Sequence, residues 1–160
     1  MLNAILPGVQ HLQNLHPLIV HFPLALLPSA AVVYLAAWWA RRERWAWIGL
    51  VLLGLGAVSA AVAVATGLYA EGGVMVARSV RANLLEPHEQ FMLATLALGA
   101  VAAVWALLAR PMPRRGRTLF LLLLLVMLAG MIKGADYGGR MVYDYNAGGN
   151  ACGQPIDFTE

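Results

Sequence analysis

Charge is what this chain has least of. Only 12% of its 160 residues are Asp, Glu, Lys or Arg, against 61% hydrophobic. A water-soluble domain is about one quarter charged. With a mean hydropathy of +0.69, the deficit points to a bilayer as the solvent, and the length suits one domain. Cysteine is nearly absent as well. Cys152 stands alone, which excludes an internal disulfide, a C-x-x-C-H haem attachment and a thiolate-only metal or iron–sulfur centre within the chain. Met1 to Asn14 holds no Lys or Arg, which argues against a signal peptide with a basic n-region. No nucleophile elbow and no phosphate loop is present. The net charge of +3 does not indicate nucleic acid, because the basic residues sort by loop and the aromatics, 9% of the chain, are not interleaved with them.

What is present is four apolar runs, each near the roughly 20 residues that cross a bilayer as a helix. They predict an all-α integral membrane four-helix bundle, one domain over 1–160. Its spans lie at about 17–40, 45–69, 88–109 and 118–134, and a tail follows at 135–160. Pro17 and Pro87 suit a first helical turn, where a missing N–H costs nothing. Pro23 and Pro28 inside span 1 are tolerated where neighbouring helices repair the lost hydrogen bonds. Span 2 carries small residues at Gly56, Ala60, Ala63 and Gly67, one face along which a neighbour can come close. Gly72-Gly73 breaks the helix after span 2. The stretch from Val74 to Leu85, with Arg78 and Arg81 among apolar residues, reads as a short amphipathic segment on the membrane surface. The methionines Met75, Met92, Met131 and Met141 read as packing, not as a ligand string.

Charge also predicts orientation. The loops between spans 1 and 2 and between spans 3 and 4 hold Arg41, Arg42, Arg44, Arg110, Arg114, Arg115 and Arg117, against one acid, Glu43. That is 7 of the 11 basic residues, leaving 4 at the other end with 7 of the 8 acids. Basic loops stay cytoplasmic. Both termini are therefore expected on the outer, periplasmic side of a bacterial inner (plasma) membrane. Trp38, Trp39 and Trp45 beside the arginines fit an interfacial belt.

All four histidines, His11, His16, His21 and His88, fall at the outer end. A histidine near hydrocarbon is costly unless it is paired, hydrogen-bonded or holding a metal. Two imidazoles on facing helices form an axial pair for a b-type haem, and bundle cores commonly carry such cofactors. His21 with His88 is the first pairing, because a span starting at Pro17 places His21 about 6 Å in. His16 with His88 is the second. His16 and His21 are about 140° apart around a helix, so one of them at most faces the interior. Arg140, Arg78 or Arg81 could pair with propionates. An outer-face copper or zinc site, with Glu89 or Asp136 added, is the competing reading, although no two histidines are four residues apart. With no histidine at the inner end, a haem held this way is one-sided. Spans 1 to 4 hold no Asp or Glu beyond the first turn of span 3, which argues against a transporter.

The stretch His16-Pro17-Leu18-Ile19-Val20-His21-Phe22-Pro23-Leu24-Ala25-Leu26-Leu27 resembles the opening motif of the domain of unknown function 2231 family of small bacterial membrane proteins. Ala65-Thr66-Gly67, His88 and Gly138-Gly139-Arg140-Met141-Val142-Tyr143 add to the resemblance, which covers about Leu15 to Tyr145. It implies a four-helix membrane domain working beside redox partners such as cytochrome c or Rieske-type proteins, with haem b as cofactor. Many members carry a histidine shortly after the Val-Tyr pair, and here Tyr145 stands in that place. The expectation is thus a membrane subunit of an electron-transfer assembly, in contact with lipid and with membrane or periplasmic redox subunits, and not an enzyme alone. No residue is assigned a catalytic role. The alternative from another class is a cofactor-free anchor or assembly subunit.

Overall fold

Apolar residues run all the way round the long helices of this chain, so no single face marks the interior by hydrophobicity. Val32, Leu35, Val58, Leu108 and Ile132 are all exposed. Helices of this kind belong in a membrane, where lipid covers the outward side. The computed structural model describes residues 15–72, 76–145 and 147. The expectations placed on His11, Gly73, Met75, Cys152 and the tail beyond Tyr145, apart from Ala147, lie outside them.

Four helices are long and apolar enough to cross a membrane: α1 (His16–Ala40), α2 (Glu43–Glu71), α3 (Arg78–Ala109) and α4 (Arg117–Tyr145). No strand occurs among the described residues. Each helix packs on the next, and α4 packs back on α1, which closes a bundle. Short connections make chain neighbours antiparallel. The two arginine-rich loops therefore share one end, and His16, His21 and His88 share the other.

Spacing, not hydrophobicity, marks the inner faces. The buried positions in α1 are Pro23, Leu27, Ala30, Ala31, Tyr34 and Ala37. In α2 they are Ala46, Gly49, Leu53, Gly56, Ala60 and Ala63. In α4 they include Phe120, Leu124, Met127, Met131, Gly134 and Met141. Alternating steps of three and four are the seam of helices packed knobs into holes. Glycine and alanine on α2 admit large side chains from α1. A Cβ on Gly56 would come within 2.7 Å of Leu27, and one on Gly49 within 3.0 Å of the Tyr34 ring.

Three boundaries differ from the sequence expectation. Helix α1 begins at His16 and has a turn at Val20 between its pieces His16–Ile19 and His21–Ala40. The surface segment expected before span 3 is, from Arg78, the opening of α3 itself, joined through a π-helical turn at Arg81–Leu85. Val80, Leu84 and Leu85 are buried with Met141 there, and Tyr137 packs against them, which holds the segment in the bundle. Helix α4 does not stop near Gly134 but continues to Tyr145 through Gly138 and Gly139. Packing overrides the weak helix preference of glycine.

At the arginine end, Tyr34 fastens the bundle. Its ring is fully buried and meets Phe120 edge-on at 4.9 Å. Its hydroxyl donates to the carbonyl of Pro111 at 3.1 Å. Arg41 and Arg110 both adopt positive φ, 53° and 43°, and end α1 and α3.

Candidate functional site

Two histidines from different hairpins sit at the same end of the bundle in matching surroundings. His16 opens α1. Its Nδ1 lies 2.9 Å from the carbonyl oxygen of Ala63 on α2 and 3.3 Å from Thr66 Oγ1. His88 stands in α3 just after the π-helical turn Arg81–Leu85, and its Nδ1 lies 2.7 Å from the carbonyl oxygen of Gly134 on α4. A carbonyl only accepts, so Nδ1 of each ring carries the proton and donates it. In the neutral ring the lone pair then belongs to Nε2, the nitrogen that binds a metal.

A glycine lies one helical turn beyond each accepting carbonyl. A Cβ on Gly67 would stand 2.9 Å from the His16 ring, and one on Gly138 would stand 3.0 Å from the His88 ring. Each imidazole thus lies against backbone where a side chain would not fit. The arrangement repeats: a histidine in the first helix of a hairpin, a carbonyl late in the second, a glycine four residues on. The hydrogen-bonded separations, 47 and 46 residues, nearly coincide. The basic loops repeat too, since each first helix ends on an arginine of positive φ. The two hairpins are arranged as a parallel pair. The two imidazoles lie close enough for their charges to repel if both were protonated.

The other predicted residues lie elsewhere. His21 is exposed, five residues along α1 from His16. Arg140 is exposed and paired with Asp144 at 3.6 Å. Arg81 forms an ion pair with Glu71 and ties the end of α2 to the start of α3. Glu71 also meets Glu89. Lys133 pairs with Asp136 at 3.4 Å and lies over the Tyr137 ring. Tyr145 ends α4 and is exposed. Among the described residues, no group of three His, Cys, Asp or Glu side chains comes together as a metal site.

The accepting carbonyls of Ala63 and Gly134 were not anticipated, and neither were the roles of Gly67 and Gly138 as seats for the rings. One signal in the sequence could have found them. Stepping back seven residues from Pro23 gives His16, not His21, and seven back from the buried Thr95 gives His88. Stepping forward along the seams from Ala63 and Gly134 gives Gly67 and Gly138. All four positions continue the packed faces.

The fold and this polar level define an integral membrane four-helix protein with an imidazole pair at one end. A family model described as Predicted membrane protein (DUF2231) matches residues 12–151, and the chain belongs to that family. No curated protein and no solved structure matches the chain.

Proposed function

We propose that this protein is a membrane subunit of an electron-transfer assembly and that it holds one b-type haem through His16 and His88. The observation that carries the reading is the pair of Nδ1 bonds to the Ala63 and Gly134 carbonyls. A metal-ligating histidine is ordinarily oriented by a hydrogen bond from its other ring nitrogen, which fixes the tautomer and raises ligand basicity. Both rings have that bond, which puts the lone pair of the neutral ring on Nε2. The donor set fits an iron porphyrin, whose macrocycle supplies four nitrogens and needs two more axial ligands. Zinc sites draw three or more ligands from the protein, and the imidazole pair offers two.

When bound, a bis-histidine haem supplies one-electron transfer without a substrate position on the iron. The residues of the chain do the rest. Ala63 and Gly134 hold the rings by their Nδ1 protons. Gly67 and Gly138 let the rings seat against backbone. With both donors at one end, electrons enter and leave on one face. Positive arginine loops at the opposite end favour an outer position for that face, within reach of soluble partners such as a cytochrome c or a Rieske-type protein.

Whole-protein absorption tests the reading. The purified protein is expected to be red, with a Soret band and a sharp alpha band on reduction, at one haem per chain. A colourless, folded protein would leave the two histidines as hydrogen-bonded pins between helices and favour a cofactor-free anchor. A colourless protein with stoichiometric zinc or copper would favour a metal carrier.

A further inference from the structure

The arginine end of the bundle has a charge imbalance that the protein does not neutralise itself. Seven arginines stand there against Glu43. Ion pairs form between Arg81 and Glu71, between Lys133 and Asp136, and between Arg140 and Asp144, all at the histidine end. None forms at the arginine end among the described residues. Arg41 and Arg110 have a local role, because a cation at a helix C-terminus complements the dipole. Arg42, Arg44, Arg114, Arg115 and Arg117 do not share it.

Arg117 is the telling one. Its Nε is buried and has no hydrogen-bond partner among the described residues. A buried guanidinium donor without an acceptor is costly. The loop that presents it is fixed. Pro111, Met112 and Pro113 are buried, and the Pro111 carbonyl accepts from Tyr34. Gly116, with φ 78°, lies so near Trp105 that a Cβ would come within 3.2 Å of the indole. Trp105 in turn packs edge-on against Phe120 at 5.8 Å. Arg114 and Arg115 are exposed on this rigid turn at the membrane interface. All seven cations are arginine, whose planar fork matches phosphate oxygens two at a time, and the chain's lone lysine is Lys133 at the other end.

We infer that the Arg114–Arg117 turn is a binding site for the phosphate of an anionic phospholipid headgroup. The lipid phosphate supplies the negative charge that the loops lack, facing the exposed Arg114 and Arg115 and the part-exposed Arg117. This inference does not depend on the haem reading.

The test is native mass spectrometry of the full chain in detergent, with cardiolipin, phosphatidylglycerol or phosphatidylcholine added in turn. The anionic lipids are expected to stay bound in preference to phosphatidylcholine. R117Q is expected to weaken that retention about fivefold, and R114Q/R115Q/R117Q on the order of a hundredfold, with helicity by circular dichroism unchanged. Equal retention of all three lipids would overturn the proposal, and so would undiminished retention by the triple variant. Displacement of the lipid by millimolar inorganic phosphate would overturn it too, in favour of a free-phosphate site. If the triple variant fails to fold, R117Q alone carries the comparison.

Discussion

At the scale of single residues, the difference between His16 and His21 decides what the site is. Both lie in one short motif, and hydropathy places both at the mouth of span 1. About 140° apart around the helix, only one of them can face inward, but depth alone favours His21. The phase of the helix is set instead by the face that packs, which passes through Pro23, Leu27 and Tyr34 and back to His16. That phase is written in the spacing of residues that are apolar on every side, so it becomes clear only once the buried set is known. The glycines follow the same logic. Gly67→Ala and Gly138→Ala place a methyl group against the rings of His16 and His88, respectively. Each is expected to lower haem content severalfold, read as the Soret-to-protein absorbance ratio. Gly54 has open space around it. Gly54→Ala is expected to leave the spectrum unchanged and to stabilise the helix by up to about 1 kcal/mol, measured by thermal unfolding in detergent.

At the scale of elements, the four spans and their order were legible from hydropathy, and the start of α3 and the end of α4 were not. Span 4 reads as ending near Gly134 with a tail from 135, yet α4 continues through Gly138 and Gly139 to Tyr145, where the His88 ring and the α3 opening pack on it. Arg78 to Leu85 reads as a surface segment, yet Val80 and Leu84 bury against α4. Both misreadings come from long-range contacts that local composition does not encode. The loop at the arginine end depends on one hydrogen bond and one ring. Tyr34→Phe keeps the ring and removes the donor to Pro111, at an expected cost of about 1 kcal/mol in thermal unfolding. Leu27→Ala empties a fully buried position and is expected to cost about 2–5 kcal/mol. The pair between Arg81 and Glu71 is partly exposed, so Arg81→Ala is expected to cost at most about 1 kcal/mol.

At the scale of the whole molecule, the two hairpins form a repeated unit whose polar positions gather at one end and whose arginines gather at the other. Composition and charge counting were enough for this division, because both depend on sums and not on register. The orientation that follows is testable without purification. A C-terminal alkaline phosphatase fusion is expected to be active and a C-terminal green fluorescent protein fusion to be dark, since basic loops remain cytoplasmic. The reverse pattern would place the histidine pair inside the cell.

The central claim is that His16 and His88, and not His21, are the ligands of one haem. Low-temperature electron paramagnetic resonance of the oxidised protein and its histidine variants tests it most directly. The account predicts a low-spin ferric signal that is lost in His16→Ala and in His88→Ala and kept unchanged in His21→Ala. A low-spin signal that survives His16→Ala but disappears in His21→Ala would contradict it, as would the absence of any haem signal from the intact protein.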